Sequence, residues 1–79
     1  MDISQAVVCR ILELCDERQL SINALSHAAG ITQSTVNDIV NGSTHNTGIM
    51  TINKICGGLN ISIRSFFESE IFDELEQIE

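Results

Sequence analysis

The sequence predicts an all-α fold, and three observations carry that expectation. None of the 79 residues is proline, so no helix interior is forbidden. Ile, Leu and Val recur at intervals of three and four, the spacing that gathers side chains on one face of a helix. The β-branched residues, which on their own favour strands, do not alternate with the period of two that a half-buried strand needs. Five helices and an acidic, amphipathic C-terminal tail account for the chain.

The first helix is expected over 3–18. Asp2 caps it, and Gln5 completes a capping-box pair. Ile3, Val7, Ile11 and Leu14 form its apolar stripe, with Cys15 beside them; Arg10, Glu13 and Glu17 lie on other faces. Ser21 starts a short second helix over 22–29, with Leu25 and Ala29 on its inner face. Gly30 stops that helix, because a left-handed residue is least strained without a Cβ.

Thr32 caps the third helix, and Ile31 before the cap can pack on Val36 as a hydrophobic staple. Val36, Ile39 and Val40 share one face. Ser34, Asn37, Asp38 and Asn41 look the other way, with Gln33 at the leading edge, and Gly42 ends the helix. After the polar loop "STHNTG", a fourth helix begins near Ile49 and turns Ile49, Ile52, Ile55, Cys56 and Leu59 inward. Gly57 and Gly58 are expected to weaken its last turn, and Asn60 to close it in a left-handed conformation. Ser62 caps a fifth helix, with a second staple between Ile61 and Phe66.

The tail "EIFDELEQIE" sets Ile71, Phe72, Leu75 and Ile78 on one stripe against acids. Three readings stay open for it: a helix packed on its own domain, a dimer contact through Phe72, Leu75 and Ile78, or a disordered end. The expected organisation is one domain over 1–69 followed by an acidic helix or tail over 70–79, with no repeat or linker.

Charge narrows the function. The net charge is −7, but residues 68–79 hold six acids and no base, while residues 1–67 hold five acids against four bases. The body is therefore almost neutral. No apolar run approaches the roughly 18 residues that cross a bilayer, and no basic-then-apolar leader marks export, so a cytoplasmic chain without a membrane partner is expected. Cys9, Cys15 and Cys56 are odd in number and lack CxxC spacing; core packing is expected of each, with no metal or disulfide.

Catalysis is not expected either. Ser, His and Asp occur, but nothing aligns them as nucleophile, base and orienter. A chain this short buries only about 60–65% of its unfolded surface, which leaves little room for a deep pocket. No cofactor or small-molecule ligand is expected. His27 and His45 are read as exposed and uninvolved.

What remains is the pair of short helices joined through Gly30, which meets the requirements of a helix-turn-helix. Ser26 is small where the two helices cross, and Gly30 tolerates positive φ. Leu25, Ala29, Ile31, Val36 and Ile39 supply the shared inner face. The second helix of the pair keeps an outer face free. The run from Arg10 to Phe67 resembles the helix-turn-helix domains of lambda-repressor and Cro type, also called the XRE family. The landmarks are "RILELCDERQLSINALSHAAGITQSTVNDIVNG" and "INKICGGLNISIRSFFES", with the "TQST" helix start, the "NG" stop and the "LNIS" junction.

The resemblance implies a five-helix lambda-repressor-like DNA-binding domain. It implies a double-stranded-DNA-binding transcriptional regulator, a repressor acting as a homodimer with helix 32–41 in the major groove. Carried over residue by residue, base contacts fall on Gln33, Ser34, Asn37 and Asp38. A Gln amide can donate and accept together against adenine, and Asp38 can either accept from cytosine N4 or sit off the DNA and repel it. Without the resemblance, Gln33, Asn37 and Asn41 read as a solvated face. Phosphate contacts fall on Arg10, Thr32, Thr35, Asn41, Ser43 and Thr44, since hydroxyls, amides and helix-start N–H groups bind phosphate without formal charge. Thr32 is chiefly a cap, and Arg10 has a competing role as a surface ion pair with Glu13 or Glu17.

The chain also departs from that family. Many relatives carry a base just after the "NG" stop and another lysine in the fourth helix; here Ser43 and Asn53 stand there, with Lys54 following. The segment "NTG" stands where many have a proline. These departures motivate a second reading, an acidic protein-interaction module on the same fold, antitoxin-like or anti-repressor, with weak or no DNA binding.

Overall fold

The computed structural model describes residues 1–75. Five helices follow in order: α1 Ile3–Glu17, α2 Ile22–Ala29, α3 Gln33–Val40, α4 Ile49–Leu59 and α5 Ile63–Phe67, then a 3-10 turn over Glu70–Glu74. The all-α expectation holds, and no strand occurs among the described residues.

Local chemistry sets the helix starts. Asp2, Ser21, Thr32 and Ser62 each accept from the backbone N–H three residues on, which satisfies one of the donors that a helix start leaves open. At α1 the reciprocal bond from the Asp2 N–H to the Gln5 side chain completes the capping box at 2.9 Å. Only α4, which starts from Gly48, lacks a side-chain cap among these five helices.

The ends of α1 to α4 share one device. Each closes through a left-handed residue: Gln19, Gly30, Gly42 and Asn60, with φ of 51, 70, 79 and 58°. In each case the following N–H returns to a carbonyl five residues back, from Leu20 to Cys15, Ile31 to Ser26, Ser43 to Asp38 and Ile61 to Cys56, at 2.9–3.1 Å. Gln19 is the one that no local signal announces, because glutamine has no special tolerance of that conformation.

The helices close around Ile11, Leu25, Val36, Ile39, Ile55, Cys56 and Phe66, all essentially without solvent exposure. Ser26, expected as the small residue at the helix crossing, is buried at 3% exposure, and its hydroxyl donates to the Asn23 carbonyl at 2.7 Å. That bond removes the penalty of burying a hydroxyl. Gly58 lies where α4 meets α2. A Cβ built there would stand 2.8 Å from the Ala29 nitrogen and 3.0 Å from the Ala28 carbonyl carbon. Gly58 therefore permits close approach of two backbones, whereas Gly57 has nothing within 4 Å.

Several expectations are corrected. Ile3 and Ile49 are 47% and 62% exposed. Each is the first residue of its helix and overhangs the core, which begins one turn later at Ala6 and Ile52. Cys9 is exposed, whereas Cys15 and Cys56 are buried as expected. The reason is angular: Cys9 stands two residues from both Val7 and Ile11, about 200° around the helix from each. Burial pushes the Cys15 and Cys56 thiols above their ordinary pKa; the nearby Arg18 charge partly offsets this at Cys15. Both stay protonated near neutral pH.

The tail is also corrected in part. Its described portion is a 3-10 turn rather than an α-helix, and Leu75 is already extended. Like charges three and four apart, such as Glu70 with Asp73 and Glu74, oppose a longer helix. The turn packs against α1, and Phe72 rests on the core with its ring centroid 6.3 Å from Phe66 and 5.0 Å from Phe67. Of the residues named for a dimer contact, Phe72 and Leu75 are half-buried in their own domain, and Ile78 lies outside the described residues.

Candidate nucleic-acid interface

The orientation of α3 follows from its two sides. Val36 and Ile39 are 0% and 2% exposed, so the inner face is committed to the core. The opposite side leaves Gln33, Ser34 and Asp38 exposed and Asn37 half-buried at its edge. Asn37 follows Gln33 by four and Ser34 by three, and Asp38 follows Ser34 by four, so the four residues form one continuous ridge. The residues expected to read bases are thus brought together.

The expected phosphate-contact residues divide into two groups around that ridge. At the start of α3, the Thr32 hydroxyl accepts from the Thr35 N–H at 3.2 Å and lies 2.8 Å from the Thr35 hydroxyl. This pair braces the first turn while both side chains remain exposed. The open N–H groups of a helix start, the positive end of its dipole, point the same way. At the far end are Asn41, exposed as the closing residue, and the hydroxyls of Ser43 and Thr44. The Ser43 and Thr44 N–H groups both return to the Asp38 carbonyl, at 2.9 and 3.2 Å. Their backbone is tied to α3, with the Ser43 side chain exposed and that of Thr44 half-buried.

Arg10 does not join them. Its Nε donates to the Phe66 carbonyl at 2.7 Å, one terminal nitrogen donates to the Ser65 carbonyl at 2.8 Å, and the other pairs with Glu13. The side chain is 11% exposed. The guanidinium serves as the cation at the negative end of α5, joining the first and last helices of the bundle. The expectation of a phosphate contact at Arg10 is corrected, and the ion pair with Glu13, its competing role, is present. Glu17 instead faces Arg18 at 3.7 Å. Sequence spacing could not reveal the clamp, because its acceptors are backbone carbonyls 55 and 56 residues away.

With Arg10 engaged, the electrostatics of the face are plain. No Lys or Arg occurs from Gln19 to Asn53. Lys54 and Arg64 are exposed and join no ion pair among the described residues. The ridge itself carries a single formal charge, the Asp38 carboxylate. His27 and His45 are both exposed; the His45 carbonyl, which no motif singled out, accepts a bond from Ser4.

Among the described residues no group of three or more His, Cys, Asp or Glu side chains is arranged to hold a metal ion, and no helix is long and apolar enough to cross a membrane.

Known proteins share both this sequence pattern and this geometry. A family model described as the Cro/C1-type HTH DNA-binding domain matches residues 10–70. Among solved structures, the chain is similar to the crystal structure of the prophage Lp1 protein 11, with 36% identity and a TM-score of 0.81. That match covers 95% of this chain and 100% of the other. No curated protein matches. The family match spans the run from the clamp at Arg10 through the turn at Gly30 and the ridge on α3 to the start of the acidic tail, and the chain belongs to the Cro/C1-type helix-turn-helix DNA-binding family.

Proposed function

We propose that the protein is a sequence-specific regulator of transcription, a repressor that binds double-stranded DNA as a homodimer with α3 in the major groove. The observation that carries this reading is the ridge of Gln33, Ser34, Asn37 and Asp38, left open on a helix whose other side is buried. Gln33 is assigned to adenine, Asp38 to cytosine N4, and Ser34 and Asn37 to permissive contacts. Thr32, Thr35, Asn41, Ser43 and Thr44 hold phosphates from the two ends of the helix. One domain offers few base contacts, so two half-sites about one helical turn apart supply the specificity.

A selection from random duplex DNA at about 50 mM salt is expected to enrich a two-fold-symmetric site. Enrichment of nothing would end the proposal. Within the enriched site, Gln33→Ala is expected to cost about 1–3 kcal/mol and to relax preference at one base position. An unaltered preference would remove Gln33 from the readers.

The scarcity of cations has its own consequence. If Lys54 and Arg64 both met phosphate, a dimer would neutralise four charges, and log affinity would fall against log salt with a slope no steeper than about −4. A slope of about −6 or beyond, measured by titration at several salt concentrations, would contradict this account of the interface.

The engagement of Arg10 favours one alternative, the acidic protein-interaction module, because it withdraws a cation from any phosphate. Capture of a protein partner through residues 68–79, together with absent DNA binding, is the result that would replace the first reading by the second.

A further inference from the structure

We infer that Ser4, on the first turn of α1, is a positioning residue for the segment that leaves the reading helix, and so for DNA affinity. The inference rests on the DNA-binding reading above.

The Ser4 hydroxyl donates to the carbonyl of His45, 41 residues along the chain. The segment it reaches, residues 43–48, connects α3 to α4 and carries Ser43 and Thr44. Its first two N–H groups are tied to the Asp38 carbonyl. Its far end enters α4 at Gly48, the start that has no side-chain cap. The middle therefore needs a support of its own.

Packing does not supply one. Two surface clefts, of about 470 and 220 Å³, flank the middle of the segment, and both Ser4 and His45 line both. The Ser4–His45 bond is the partition between them. Where open clefts lie on either side of a chain segment, its dispersion contacts are few and a polar tie decides the position. The larger cleft is also lined by Asn41, Gly42 and Thr44, so its outer wall is the segment proposed to meet phosphate.

The mechanical consequence follows. With the hydroxyl in place, Ser43 and Thr44 are held from α3 on one side and from α1 on the other. Without it, the chain beyond Thr44 moves into the clefts, and the two phosphate hydrogen bonds per subunit are formed against an added ordering cost. Because those bonds go to phosphate and not to base edges, affinity for every DNA sequence falls alike.

Three forms of the full chain test this: wild type, Ser4→Ala and Ser4→Thr, each titrated against the selected duplex and against a duplex changed at one half-site. Ser4→Ala is expected to weaken binding about tenfold, the loss of roughly one hydrogen bond's worth per subunit. The ratio between the two duplexes is expected to be unchanged. The thermal midpoint is expected to stay within about 3 °C of wild type, since alanine is the better helix former and offsets the lost tie. Ser4→Thr keeps the hydroxyl and is expected to restore affinity to within about twofold. Amide exchange at Ser43 and Thr44, whose N–H groups donate to the Asp38 carbonyl, is expected to quicken in the alanine variant alone.

Wild-type affinity in Ser4→Ala would overturn the inference. So would a fall in affinity that merely tracks a fall in thermal midpoint, or a failure of threonine to restore it. Should wild type itself bind no selected duplex, the DNA reading fails separately. Amide exchange at Ser43 and Thr44 then decides the tie by itself, and equal rates in wild type and Ser4→Ala would sink it.

Discussion

Gly58 brings α4 so near α2 that a Cβ there would stand 2.8 Å from the Ala29 nitrogen. On the other flank of the bundle, clefts of about 470 and 220 Å³ separate α1 from the segment after α3. Along the chain, α3 runs from the first of these regions to the second. Its start follows the rigid one: Ala29 leads into the left-handed Gly30, then Ile31 packs on the core and the capped Thr32 begins α3. Its end passes into the loose one. The contrast teaches how a small bundle divides its effort. The first turn of α3, proposed to meet base edges, follows a contact of backbone against backbone. The segment after it, proposed to reach phosphate, is held by hydrogen bonds beside open clefts.

The strongest way to break this comparison is at Gly58. Gly58→Ala is expected to lower stability by about 2–3 kcal/mol, because the obstructing atoms are backbone and cannot step aside as a side chain would. Urea unfolding measures it, and a midpoint equal to wild type would mean that the α2–α4 contact yields and is not the rigid flank. Next in size is Thr32→Ala, expected to cost about 1 kcal/mol through loss of the hydroxyl that accepts from the Thr35 N–H. Its effect on DNA affinity should exceed what that instability explains, since the start of α3 is displaced. Equal affinity at temperatures where both proteins are folded would deny the start its special role. Smallest is Gly57→Ala, one residue from Gly58 but facing open space. It is expected to raise stability by roughly 0.5–1 kcal/mol through helix propensity alone. Neighbouring glycines with opposite signs would sharpen the comparison; a loss at both would show that helix strain, not approach to α2, governs Gly58.

Much of this architecture was legible in the sequence because it rests on short-range chemistry. Asp2 with Gln5, Ser21, Thr32 and Ser62 announce helix starts by their side-chain acceptors. Gly30, Gly42 and Asn60 announce ends by their tolerance of positive φ. The outward ridge on α3 was legible for the same reason: Val36 and Ile39 declare the inner face, and spacing assigns the rest. Errors arose where a residue's surroundings come from distant chain. Periodicity put Ile3 and Ile49 inside, although each stands at a helix start and they are 47% and 62% exposed. Gly58 looked like a weakness of α4, since the Ala29 backbone that requires it lies 29 residues away in the chain. Arg10 looked like a phosphate ligand, because nothing near it in sequence reveals the Ser65 and Phe66 carbonyls.

The sequence by itself determined five helices, the side-chain caps of four of them, the closures of α2, α3 and α4, and the polar face of the third, since each depends on contacts within about five residues. Only the tertiary structure decided which backbone passes against Gly58, where the Arg10 guanidinium ends, and that Ser4 reaches the loop beyond α3. Those arrangements join residues tens of positions apart, and the free energy that selects among such pairings belongs to the packed bundle as a whole, so no local pattern of residue types encodes it.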